Sequence, residues 1–234
     1  MFRRETELAA PVVQWLRKRG WTVYQEVSAG FGLADIVAVK SEKVWVIECK
    51  LSVTFHLVGQ ARRWLPCAQE VSVAVPYEML YRRGMRAAFE CLGALGVGVV
   101  LVDNCSGGRP RVDVEKESKN TKYDPEISQR HLLSCLHERQ QNYAPAGSAG
   151  QHWTPFKETV ENLKAHVAAH PGCTMREAVS QIQHHYRKPE YAVRFLTGLF
   201  EDWIGKHRGR PCPLAGIQLV SKGRKGLVLE PVDA

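Results

Sequence analysis

The chain has 234 residues, of which 44% are hydrophobic, and a net charge of +8, so it can bury one large core or two ordinary ones without staples. No window approaches the ~18–20 continuous apolar residues of a membrane span, and MFRRETELAA lacks the apolar heart of a secretory signal; the expectation is a cytoplasmic protein with no membrane partner. The seven cysteines are scattered without a C-x-x-C pair, which argues for reduced thiols rather than a disulfide framework or a closed zinc site.

Along the chain, TELAAPVVQWLRKRG (6–20) puts Leu8, Val12, Trp15 and Leu16 on one helical face and stops at Gly20. WTVYQEV (21–27), LADIVAVK (33–40) and VWVIECKL (44–51) follow, each short, rich in β-branched and aromatic residues and bounded by Gly, Ser or charge; they predict three strands. A helix at 54–65, a strand at 71–76, a helix at 77–95 and a strand at 97–103 complete an α/β domain over 1–104. Residues 105–150 are polar, charged and broken by Gly and Pro. They read as a linker with a short helix near 126–142.

From 151 to 234 the pattern changes. Helical periodicity predicts helices at 155–172, 174–186 and 189–204, the second opening on a Thr174/Glu177 capping box and the third on Pro189. Two short strands around a basic turn at 216–232 follow. Three helices and a basic hairpin form the plan of a smaller, mainly α, winged-helix-like domain. Clusters at 17–19, 206–210 and 222–225 carry much of the positive charge, which suits a polyanionic partner. His131/Cys135 and His184/His185 are weak metal signals, because no second pair stands at ligand spacing.

The oddity lies in VWVIECKLS (44–52). Glu48 and Lys50 stand two apart in an otherwise apolar strand, so both point to one face, and burying charges there costs several kcal/mol unless they are paired or bound to an ion. Asp35 interrupts the preceding strand, LADIVAVK. An antiparallel hairpin turning at KSEK brings it to Glu48 and Lys50 at one end of the sheet. Two carboxylates, a nearby carbonyl and water suit Mg²⁺, with Mn²⁺ as a substitute. An ammonium beside the metal can orient water and offset transition-state charge, which points to phosphodiester hydrolysis. The competing readings are an edge-strand ion pair for Glu48 and Lys50 and a turn cap for Asp35.

The pattern Asp35, Glu48-Cys49-Lys50 on consecutive strands, after a helix bearing an acid, resembles the PD-(D/E)XK nuclease superfamily over roughly residues 1–104. The resemblance implies a restriction-endonuclease-like mixed sheet flanked by helices, with an α-β-β-β-α-β core. It implies Asp35 and Glu48 as metal-binding acids, Lys50 as the catalytic lysine, Glu7 on the first helix as an additional metal-binding acid, and Gln60 as a glutamine near the site. Ala34 stands where the family name has proline. Glu7 can equally be an ordinary first-turn helix acid. Glu26, before the glycine-bearing loop SAGFG, either faces the same cleft or is a solvated strand end.

In the C-terminal segment, Arg194 on the third helix and Lys222, Arg224 and Lys225 on the hairpin turn are candidates for nucleic-acid phosphates. The expected function is a Mg²⁺-dependent endonuclease acting on DNA, with the C-terminal domain assisting substrate binding. Nucleases that cut both strands often dimerise, so a homodimer is a mild expectation. The alternative is a non-catalytic DNA-binding regulator, or a partner-dependent structural protein, using a nuclease-like domain.

Overall fold

The computed structural model describes residues 2–30, 32–104, 110–121, 128–148, 152–206, 213–221 and 227–232. The chain divides into two compact units, Met1–Trp153 and Thr154–Ala234.

The first unit is mixed α/β. Helix α1 (Glu5–Lys18) leads to β1 (Thr22–Ala29), β2 (Gly32–Lys40) and β3 (Lys43–Cys49). Then come α2 (Phe55–Trp64), β4 (Glu70–Pro76), a 3-10 turn (Tyr77–Tyr81), α3 (Met85–Ala94), β5 (Gly98–Asp103) and β6 (Arg111–Lys116). The strands form one six-stranded sheet in chain order. β1, β2 and β3 run as antiparallel neighbours, β3, β4 and β5 run parallel through the helical crossovers, and β6 returns antiparallel. The helix expected over 77–95 is broken at Gly84, which sits at φ +80, a conformation that glycine reaches without steric cost.

Two hydrophobic layers cover the sheet. Leu8, Ala9, Val12, Val13 and Leu16 of α1 pack on the face bearing Trp45, Ile47 and Cys49. Leu57, Ala61 and Trp64 of α2, with Phe89 and Leu92 of α3, pack on the face bearing Val44 and Val46. Both faces of β3 are therefore buried, which is what near-continuous apolar runs demand.

The segment 105–150 is not a free linker. Val112 and Val114 of β6 pair with Val102 and Val100. A short helix α4 (Arg130–Ser134) and a 3-10 turn (Glu138–Gln141) follow, and their backbone is tied to the sheet. The Gln25 amide donates to the Gln141 carbonyl at 2.7 Å and accepts from the Ala146 N–H at 3.1 Å. RVDVEK was misread because an edge strand exposed on one side keeps its charges, leaving only two apolar positions.

The second unit contains α5 (Pro155–Ala169), α6 (Met175–Gln181), α7 (Pro189–Lys206) and the antiparallel pair β7 (Ile217–Ser221) and β8 (Leu227–Pro231). Thr174 and Glu177 form the expected capping box. Val160 and Leu163 of α5, Ala178 of α6, Leu196 of α7 and Leu229 of β8 share one core.

Among the described residues no helix is long and apolar enough to cross a membrane, and the described cysteines, Cys49, Cys67, Cys91, Cys135 and Cys173, are free.

Candidate functional site

Register assembles the site. β1 pairs Gln25 with Ile36 and Val27 with Ala34, which sets Glu26 opposite Asp35. β2 pairs Ile36 with Ile47 as the last step of its ladder with β3, which sets Asp35 opposite Glu48 one step on. Three carboxylates thus form a row across three adjacent strands. Like charges directly opposite destabilise a sheet, so this row is not explained by packing.

Each acid is held differently. Glu48 is fully buried; its Oε1 accepts a 2.6 Å hydrogen bond from the Trp64 indole N–H, and its Oε2 is buried without a partner. Burial first, and the Asp35 carboxylate second, push the Glu48 pKa up to about 8. Asp35 Oδ2 accepts the Cys49 backbone N–H at 2.7 Å and lies 3.8 Å from Lys50 Nζ. Burial raises its pKa even though Lys50 and that N–H pull it down. Glu26 Oε1 accepts the Gly147 and Ser148 N–H groups at 2.7 and 3.1 Å, and Oε2 has no partner. Burial, then the Asp35 carboxylate, raise its pKa to about 7. Its backbone sits at φ +54, and such strain in a non-glycine residue gathers at functional sites.

Lys50 follows directly on β3, its N–H donating to the Ala74 carbonyl at 3.0 Å. Its Nζ donates to Glu5 Oε2 at 2.6 Å. Burial works against the ammonium, but the Asp35 and Glu5 carboxylates outweigh it and hold the Lys50 pKa above the ordinary lysine value. Lys50 is therefore a fixed cation and not a free base.

Glu7, expected on the strength of the resemblance to be the additional acid, is not brought to this cluster. It accepts the Arg3 backbone N–H at 2.9 Å and pairs with Arg4 Nε at 3.2 Å, partly exposed; the Arg3 bond, helped by Arg4, pulls its pKa down. Glu5 stands in its place. Residues 5, 8, 9 and 12 share the buried helical stripe, whereas Glu7 falls with exposed Gln14 and Lys18, a signal that the sequence already carried. Trp64 was not expected as a site member, and of the two readings of Glu26 the structure favours the one that faces the cleft. Gln60 lies one turn before Trp64 on α2, with its Oε1 buried and unpartnered. The Cys49 thiol is fully buried and pushed well up by that burial, which makes it inert.

The donor set fits a hard divalent cation. Glu5, Glu26, Asp35 and Glu48 outnumber the one ammonium among them, and Lys50 and Arg63 do not offset the burial of the ionised Glu48 beside Asp35. Among the described residues no group of three or more His, Cys, Asp or Glu side chains is placed to hold a metal ion. Mg²⁺ needs no such group, since it keeps several waters and binds through one or two carboxylates.

Beside the Glu5–Lys50 pair opens a cavity of about 540 Å³, lined by Arg3, Arg4, Glu5, Leu51, Gly147 and Ser148 among others. The 145–148 turn walls it and is pinned by Glu26 from below.

In the second unit, Arg194 is exposed on α7, on a groove of about 290 Å³ that it shares with Arg176, Ser180 and Val193. Lys222, Arg224 and Lys225 lie outside the described residues. His131 and Cys135 stand 4.0 Å apart with the His131 ring accepting the Gly30 N–H, a structural contact. Compared with family models, with curated proteins and with solved structures, the chain matches none.

Proposed function

We propose that this protein is a Mg²⁺-dependent endonuclease of the PD-(D/E)XK type that hydrolyses phosphodiester bonds in DNA. The observation that carries the reading is the convergence of Asp35, Glu48 and Lys50 at one end of the sheet, two buried carboxyl groups against a single ammonium. A purely structural ion pair with Lys50 needs only one of the two acids. The element order helix, three strands, helix, strand also supports the kinship.

In this reading Asp35 and Glu48 hold the cation, which supplies Lewis-acid charge at the scissile phosphate. Lys50 keeps its proton, orients the attacking water by donating to it, and offsets negative charge as the phosphorus–oxygen bond to the leaving sugar breaks. Glu5 fixes the Lys50 ammonium at 2.6 Å. The three helices and antiparallel pair of Thr154–Ala234 support a winged-helix-like module that assists DNA binding through Arg194.

The test is cleavage of linear duplex, supercoiled plasmid, single strand, flap and four-way junction with Mg²⁺, Mn²⁺ or chelator, beside Lys50→Ala. Metal-dependent products that vanish in Lys50→Ala, with folding and DNA binding retained, are expected. Full cleavage by Lys50→Ala sinks the mechanism, and tight binding with no products on any substrate selects the non-catalytic regulator.

A further inference from the structure

The end of the sheet that carries the acidic row also carries two exposed aromatic side chains. Phe55 is 96% exposed and Tyr81 75% exposed. Phe55 opens α2, five residues after Lys50; Tyr81 ends the 3-10 turn that leaves β4. β3 and β4 are parallel neighbours, with Cys49 level with Ala74, so both residues lie where the parallel strands end. Isolated exposed apolar residues are ordinary. These two differ in their company.

Phe55 opens a helix that Thr54 caps, the Thr54 hydroxyl accepting the Leu57 N–H at 3.2 Å. Tyr81 is held against Tyr77, ring centroids 5.8 Å apart and edge to face. Past Tyr81, Arg82, Arg83 and Arg86 are all exposed, and none forms an ion pair among the described residues. Exposed aromatic faces beside uncommitted guanidinium groups are the pairing that single-stranded nucleic acid uses, bases stacking on the rings while the arginines follow the phosphates. A continuous duplex keeps its bases stacked on one another and offers such rings nothing.

We infer that Phe55 and Tyr81, with Arg82, Arg83 and Arg86, form a binding rim for unpaired bases next to the acidic row, so that the substrate is DNA with a single-stranded stretch beside the cut. This rests on the nuclease reading and names its substrate class.

The experiment is fluorescence anisotropy of the full chain in chelator, with a labelled single strand and the matching duplex, over a range of salt. Phe55→Ala and Tyr81→Ala should each weaken single-strand binding about tenfold and leave duplex binding unchanged, while Phe55→Trp retains affinity. Arg82, Arg83 and Arg86 replaced together by Ala should flatten the slope of log affinity against log salt by about 2. Both aromatics are exposed, so unchanged melting temperatures are expected and serve as the folding control. Variants that bind single strands like the parent, or that lose single strand and duplex equally, overturn the rim, as does a chain that binds no nucleic acid and uses this face for a protein. Cleavage of uninterrupted duplex by a Phe55→Ala chain as fast as by the parent overturns the rim and leaves the nuclease reading standing. Phe55-dependent single-strand binding with no metal-dependent cleavage of any substrate supports the rim and overturns the nuclease reading.

Discussion

The indole N–H of Trp64 donates to one oxygen of Glu48 at 2.6 Å and leaves the other oxygen buried and unpartnered. One good hydrogen bond does not offset the loss of water around a carboxylate, so the folded chain without a cation prefers Glu48 protonated.

The sign of the resulting pH dependence follows from linkage. The folded-state pKa is raised from 4.5 to about 8, so between those values the folded chain holds a proton that the unfolded chain has released. This contribution is fully present below about pH 4.5 and is lost as pH rises through 8, at about 1.4 kcal/mol per pH unit. Thermal melting in chelator should therefore show stability falling across that window, and Glu48→Gln, which never ionises, should be the more stable protein at pH 8 by a few kcal/mol. Saturating Mg²⁺ should restore the parent at pH 8 by mass action and leave Glu48→Gln unmoved. Equal melting of parent and Glu48→Gln at pH 5 and pH 8 contradicts the account.

Glu5 and Glu7 offer a contrast within one helical turn. Glu5 holds the Lys50 ammonium, whereas Glu7 is turned to Arg3 and Arg4. Glu5→Gln should lower metal-dependent cleavage by roughly ten- to a hundredfold, because a catalytic group displaced by an ångström costs on that order. Glu7→Gln should cleave like the parent, and kinetics of the two variants side by side decide between these acids.

Much of this is legible in the sequence. The helix and strand order over 1–104 follows from periodicity, and Asp35, Glu48 and Lys50 stand out as charges in apolar strands. What was hidden depends on three-dimensional register. In the sequence Glu26 reads equally as a cleft residue or a solvated strand end, and only the register of β1, which continues to Ala29, sets it opposite Asp35. Trp64 reads as core, and only the approach of α2 to β3 turns its N–H to Glu48. The choice of Glu7 over Glu5 leaned on the resemblance rather than on the buried stripe of α1. The 145–148 turn is more than a hundred residues from Glu26, a separation that no local pattern spans.

That turn makes Glu26 testable by a split between two substitutions. Glu26→Gln keeps an oxygen that can accept the Gly147 and Ser148 N–H groups, so it should retain the fold and most activity. Glu26→Ala removes the acceptor and strands two N–H donors, at a cost of roughly 1–3 kcal/mol. Chemical denaturation should rank parent and Glu26→Gln together above Glu26→Ala. Hydrogen exchange should show the Gly147 and Ser148 amides losing protection in Glu26→Ala alone.

Gly147 tests the same turn from the side of α1. Its φ is +80, and a Cβ placed there would stand 2.8 Å from Glu5 Cβ and 2.9 Å from the Glu5 carbonyl carbon. The φ value alone disfavours any L side chain by about 1–2 kcal/mol. The contact adds a second demand, that either the turn or the first residue of α1 move. Backbone atoms yield less readily than side-chain tips, so Gly147→Ala should push Glu5 and slacken its 2.6 Å hold on Lys50. The expected outcome is a folded protein with a lowered melting temperature and with cleavage reduced about as far as in Glu5→Gln. Combining Gly147→Ala with Glu5→Gln should then cost little further activity, since both act through one contact. Full additivity of the two losses in kcat would show that the turn affects the site by some route other than Glu5.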